Sequence, residues 1–144
     1  MRNSVLLAHP PHAMYSLVTA VEDYPKFVPW CDSAEVLERR PDGETVRLGL
    51  AYMGVRQKFT TRNEHETDRR VGMHLVDGPF STLEGVWRFL PLGPDAAACK
   101  VEFELRYELA HGPLDRLLSP VFDRIASTFI EAFVKRAEAG GGTS

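Results

Sequence analysis

Two short patterns could carry chemistry. Cys31 follows Trp30 in the run Tyr24-Pro25-Lys26-Phe27-Val28-Pro29-Trp30-Cys31, and His9-x-x-His12 has the spacing of a pair of metal ligands. A cysteine becomes a nucleophile when a neighbouring cation or histidine lowers its pKa. No such group stands beside Cys31, which reads as an inert, partly buried thiol. A metal needs a third and usually a fourth ligand; Pro10-Pro11 separates the two histidines and no further ligand is evident, so no metal is expected. His65 and His111 fall in expected turns, and His74 on the polar phase of its strand. The sequence contains no G-x-S-x-G, H-E-x-x-H, C-x-x-C, P-loop or dinucleotide-binding glycine pattern. Acidic residues fall on outward phases, and no pair is obliged to face a pocket. Catalysis is therefore not expected.

Binding is better served. Gln57 and Thr61 share the inward phase of Val55 and Phe59, and Ser81-Thr82 lie beside Phe80. Such groups either hold the polar head of an apolar ligand or bond one another inside a core. The connections Phe27-Val28-Pro29-Trp30, Met53-Gly54-Val55 and Gly78-Pro79-Phe80 are apolar where loops are usually polar. They either pack on the core or form a hydrophobic rim suited to a pocket mouth or a membrane surface.

The elements that must position these residues follow from periodicity. Asn3 to Ala8 reads as a strand. After Pro10-Pro11, the positions Ala13, Met14, Leu17, Val18 and Val21 recur at helical spacing, and Pro25 predicts a stop near Glu22-Asp23. Val46, Leu48, Leu50 and Tyr52 share one strand face. Pairing across the Met53-Gly54 turn sets Leu48 opposite Phe59 and Leu50 opposite Gln57. Further strands are predicted at 71–76, 83–90 and 99–109. In the last, Val101, Phe103, Leu105, Tyr107 and Leu109 face one way and Lys100, Glu102, Glu104, Arg106 and Glu108 the other. One-sided alternation is the mark of an antiparallel sheet with one wet and one buried face.

The buried face needs a cover. From Leu114 to Val134, through Leu117, Leu118, Val121, Phe122, Ile125, Ala126, Phe129, Ile130 and Phe133, runs a wide helical stripe. Pro120 predicts a short turn first, with Ser119 as cap of the long helix. The fold class is α+β. Phe59, Trp87, Phe89, Phe103 and Tyr107 on the sheet face Phe122, Phe129 and Phe133 on the helix; these rings either fill the core or line an apolar pocket.

The chain has 144 residues and a mass of 16.2 kDa, the size of one domain, expected over 1–138 with a flexible tail at 139–144. Seventeen Lys and Arg against twenty Asp and Glu give a net charge of −3, with a pI near 5.9, which speaks against a DNA-binding protein. Arg47, Arg56, Lys58 and Arg62 nevertheless share the outer face of two paired strands, with Arg39, Arg40, Arg69 and Arg70 near turns. This face either contacts an RNA backbone or solvates the sheet. Two cysteines fit a reducing compartment, and no apolar run approaches the roughly 18 residues of a membrane span. A cytoplasmic protein is expected, with peripheral contact at the inner membrane.

Leu17-Val18 followed by Val21-Glu22-Asp23-Tyr24-Pro25-Lys26-Phe27-Val28-Pro29-Trp30-Cys31 resembles the signature of the RatA and coenzyme Q-binding branch of START-like proteins. Gly78-Pro79-Phe80, Leu83-Glu84-Gly85-Val86-Trp87-Arg88-Phe89, and the stretch from Phe122 through Ala132-Phe133-Val134-Lys135-Arg136-Ala137 match the same pattern. The resemblance implies a helix-grip fold, a curved seven-stranded antiparallel sheet around the C-terminal helix with an apolar cavity. It also implies one of two activities: binding of ubiquinone in support of respiration, or association with the large ribosomal subunit as a toxin that blocks subunit joining. Oligoketide cyclase activity is a third reading in the same superfamily. For a ubiquinone or related polyprenyl ligand, with no cofactor chemistry, the expected wall and mouth are Tyr24, Phe27, Pro29, Trp30, Gln57, Phe59, Phe80, Trp87, Phe103, Phe122 and Phe129. The expected ribosome-facing residues are Arg47, Arg56, Lys58 and Arg62.

Overall fold

Met53 and Gly54 both take positive φ, 48° and 84°, which is the geometry of a two-residue hairpin turn whose twist suits the flanking strands. They join β3 (Gly43–Tyr52) to β4 (Val55–Glu66) in the register expected from the sequence, with Leu48 opposite Phe59 and Leu50 opposite Gln57. A computed structural model describes residues 2–110 and 115–139, with side chains from 120 onward in the second segment. His111, Leu114, the side chains of Leu117 and Leu118, and the tail beyond Ala139 lie outside the described residues.

Around this hairpin the chain adds β1 (Arg2–Leu7), β2 (Cys31–Arg40), β5 (Arg70–Asp77), β6 (Phe80–Leu92) and β7 (Ala98–Leu109). The result is a seven-stranded sheet in the order β1-β7-β6-β5-β4-β3-β2, antiparallel throughout. Strand β2 is not announced by alternation. Register shifts between Cys31 and Ser33 and between Val36 and Glu38 interrupt the two-residue period, and the strand is an edge with mostly exposed residues. At Gly43 a Cβ would lie 2.0 Å from the carbonyl oxygen of Asn63, so only glycine lets β3 approach β4 there.

Helix α1 (Pro11–Thr19) starts with proline in its first turn, as expected. It ends earlier than the predicted stop, and Val21–Lys26 continues as a 3-10 turn that tolerates Pro25. The Tyr24 carbonyl accepts from both the Phe27 and Val28 amides. Helix α2 (Asp115–Glu138) corrects the expectation at Pro120: no break occurs, and the helix runs through the proline. Pro120 lies in the second turn and removes one helical donor there. The turns after it bury Phe122, Ile125, Ala126, Phe129, Ile130 and Phe133, and that packing outweighs a single lost hydrogen bond.

The core forms where α2 lies on the inner sheet face. Trp87 from β6 and Phe103 from β7 meet at a ring-centroid distance of 4.4 Å, and Phe133 reaches Trp87 at 5.2 Å. The α+β class and the sheet gripping one long helix agree with the sequence reading.

Candidate ligand-binding site

Towards the N-terminal half of α2, sheet and helix separate enough to leave a cavity of about 80 Å³. Val46, Leu48 and Leu50 of β3 and Phe59, Thr61 and Asn63 of β4 form one wall. Each set is spaced by two residues, so the strand pleat points all of them inward. Leu83, Phe103, Leu105 and Tyr107 form the opposite wall; Phe122, Ile125, Ala126 and Phe129 of α2 form the roof; Tyr24 and Trp30 close one end.

Seven of the expected ligand-binding residues therefore meet around one space: Tyr24, Trp30, Phe59, Phe80, Phe103, Phe122 and Phe129. Four do not. Phe27 packs on Phe133, at 5.0 Å between ring centroids, and under the Arg136 guanidinium, while Pro29 is exposed beside it. The 3-10 turn carries both to the side of the C-terminal half of α2. Trp87 is completely buried behind Phe103 and belongs to the packed core. Gln57 has the inward phase but is exposed, because it stands near the tip of the β3–β4 hairpin, clear of the cavity lining. Ser81 is exposed and Thr82 half-buried, both outside the wall. Sequence reasoning missed Asn63, Leu48 and Ala126. Asn63 was within reach of the same alternation, two residues past Thr61.

Among the described residues the wall carries no carboxylate, histidine, cysteine, lysine or arginine. Its two phenols are already committed. Tyr24 donates to the Val18 carbonyl and Tyr107 donates to Asp123 Oδ1. Burial raises both above the ordinary phenol range, for Tyr24 with added repulsion from Cys31 and Glu44, and for Tyr107 with the Asp123 hydrogen bond. The Thr61 hydroxyl donates to Asn63 Oδ1 at 2.8 Å. Among the described residues the lining of this space is therefore mainly apolar.

The residues first considered for chemistry are placed elsewhere. His12 Nδ1 lies 2.7 Å from Asp68 Oδ1, and its Nε2 lies 3.2 Å from the Ser16 hydroxyl. His65, expected in a turn, is instead an inward residue of β4. Its ring meets Tyr15 edge-on at 6.3 Å, and burial holds it below the usual imidazole range. Cys31 and Cys99 are both free and buried. Burial pushes the Cys31 thiol up to about 11, partly offset by backbone hydrogen bonding at Ser33. A folded pKa above the ordinary 9.0 means that the neutral thiol stabilises the fold below pH 9, and that this contribution is lost as pH rises through about 11. The native protein is expected to react with a thiol reagent at pH 8 far more slowly than the urea-unfolded chain. Equal rates in the two states would place Cys31 and Cys99 in solvent.

Of the apolar connections, only the hairpin tip is a rim: Met53 is 74% exposed, whereas Val28, Trp30 and Phe80 are buried. On the outer sheet face, Arg47, Arg56, Lys58 and Arg62 all point to solvent. Arg47 is paired with Glu35 at 3.3 Å, and Arg39, Arg40 and Arg70 are drawn to Glu22, Glu38 and Glu66. Arg56, Lys58 and Arg62 have no acidic partner among the described residues. No described helix is long and apolar enough to cross a membrane.

Comparison with known proteins agrees with this geometry. Residues 7–134 match the family described as polyketide cyclase / dehydrase and lipid transport. The ribosome association toxin RatA of Pseudomonas aeruginosa is 39% identical over 139 residues, covering 96% of this chain and 94% of the toxin. The mitochondrial coenzyme Q-binding protein COQ10 homolog B of Xenopus laevis is 29% identical, over 86% of this chain and 52% of that protein. Among solved structures, the ZhuI aromatase/cyclase from Streptomyces superposes with a TM-score of 0.82 at 18% identity, covering 96% of this chain and 92% of that one, which establishes the shared fold. With an antiparallel sheet closed over one helix around an apolar space, a START-like fold, and a match along residues 7–134, the chain belongs to the polyketide cyclase / dehydrase and lipid transport family.

Proposed function

We propose that this chain is a non-catalytic binding protein that holds a hydrophobic ligand, ubiquinone or a related polyprenyl lipid, between the sheet and α2 in support of respiration. The observation that carries this reading is the cavity wall, which is apolar and free of charged side chains among the described residues. The coenzyme Q-binding relative supports the same ligand class. At about 80 Å³ the space is smaller than the ~150 Å³ cavity known to admit a benzene ring. Entry of a quinone ring therefore requires the side chains around Phe80 and Phe122 to give way, with the polyprenyl chain leading out past them. The exposed Met53 tip would serve as contact with the inner-membrane surface, and the cytoplasm is the matching location. Organic extraction of the purified protein followed by mass spectrometry is expected to release a quinone; repeated absence of quinone, with no uptake of added quinone, would refute the proposal.

A second reading has its own support. Arg56, Lys58 and Arg62 stand on one strand with no acidic partner among the described residues, and the Pseudomonas relative is named a ribosome association toxin. Phosphate contacts by such cations give binding that weakens steeply with salt. The double reversal Arg56→Glu and Lys58→Glu is expected to abolish co-sedimentation with large ribosomal subunits. Unchanged sedimentation would exclude this face.

A further inference from the structure

We propose that two copies of this chain associate through strand β1, edge against edge, into a two-fold dimer whose sheet runs on from one copy to the other. The proposal is independent of the ligand reading, since β1 stands outside the cavity lining. The two ends of the sheet are built differently. At one end β2 carries two register shifts and the charged residues Asp32, Glu35, Glu38, Arg39 and Arg40. Bulges and charges of this kind keep an edge from pairing with another strand. At the other end β1 has neither guard. It pairs with β7 in unbroken register from Arg2 to Leu7, and its one charge, Arg2, is already drawn to Glu104 at 3.0 Å. Its free edge has no backbone partner among the described residues.

The side chains at this end suit the open backbone. Leu6 is 68% exposed, Leu90 42% and Leu92 39%. The register makes them neighbours: Leu6 faces Lys100, which faces Leu90, and one pleat further along Ala98 faces Leu92. All stand on the outer sheet face, away from α2. The other large apolar side chains exposed among the described residues, Leu37, Met53 and Val76, lie apart from one another on β2, at the hairpin turn and on β5. Only the β1 corner joins an open edge to an apolar patch.

An open edge accepts a strand, and the same edge of a second copy complements it. With Leu6 opposite Leu6 of the second copy, Val5 stands opposite Leu7 and Ser4 opposite Ala8. No charge meets a like charge, because each Arg2 falls beyond this ladder. The two leucine corners then join into one apolar stripe, and the open N–H and C=O groups of both strands find partners. A two-fold contact uses up the edge, so assembly stops at the dimer. Pairing of β1 with the β2 edge of another copy would continue without closure, and β2 is guarded against it. One strand pair and its flanking leucines lie at the small end of specific interfaces, so a dissociation constant of about 10 µM is expected.

Analytical ultracentrifugation of the native protein, from about 1 to about 200 µM, brackets that constant. The mass is expected to rise from 16.2 kDa towards twice that value. Over the same range, amide hydrogen exchange of the native protein should slow at residues 2–8 and stay unchanged on β2. Leu6→Lys sets two cations against each other and should weaken association at least about tenfold, whereas Leu37→Lys on the guarded edge should leave it unchanged. A mass of 16.2 kDa at every concentration, masses beyond the dimer, or new protection on β2 in place of β1 would overturn the proposal. The exchange result on the native protein stands even if a variant does not fold.

Discussion

Replacing Phe129 with alanine is expected to lower the unfolding free energy by about 3–5 kcal/mol, the range for removing a large buried ring. Phe129 is 7% exposed and sits where cavity and core meet. Its ring lies 5.0 Å from Phe133, 5.4 Å from Phe103, 5.6 Å from Trp30 and 5.7 Å from Trp87, centroid to centroid. It therefore joins α2 to the sheet and to the end wall at once. The neighbours are rings held in place by other rings, so they cannot collapse into the space, and the cavity term adds to the lost transfer energy. Against a total stability of about 5–15 kcal/mol, the loss is a large fraction. Urea denaturation should show a much lower midpoint with little change in slope. A shift under about 1 kcal/mol would mean that α2 is not packed on the sheet as described.

The second large effect concerns binding. Ala126 stands on α2 between Phe122 and Phe129 and lines the cavity with a single methyl group. Ala126→Leu puts an isobutyl group into a space of about 80 Å³ and leaves almost nothing for a ligand. Affinity for decylubiquinone is expected to fall at least about 100-fold, equivalent to about 2.8 kcal/mol. Stability should move much less than this binding loss suggests, because filling a void offsets the strain of overpacking, usually about 1–3 kcal/mol. The comparison with Phe129→Ala is informative, since one variant empties the site and costs stability while the other fills it and costs affinity. Unaltered quinone binding by Ala126→Leu, measured calorimetrically, would place the ligand outside the cavity.

Much of this arrangement was legible before the structure. The pairing of Leu48 with Phe59 followed from alternation on both sides of Met53-Gly54, because a shift of one residue would turn each apolar set into solvent. The α2 stripe through Phe122, Phe129 and Phe133 followed from helical spacing in the same way. What failed did so for local reasons. The β-bulges of β2 erase its period, Pro120 predicts a break in a helix whose packing tolerates it, and the local sequence predicts a turn at His65 although β4 extends through it.

The site divides along the same line. Phase along a strand assigned Phe59, Thr61 and Phe103 to the inner face, and chain order supplied a helix to cover them; these are properties of residue spacing alone. Alternation likewise determines which side of the β3–β4 hairpin is basic. Phase gives a direction, however, and says nothing of how far the cover extends. Gln57 has the same phase as Phe59 and is exposed, while Trp87 has the phase of a wall residue and is sealed in the core. Where α2 lies along the sheet decided both, and decided that Phe27 and Pro29 stand beside the helix rather than at the mouth. That position depends on contacts between residues far apart in the chain, such as Phe129 with Trp30 and Phe103, and only the folded arrangement brings those rings together.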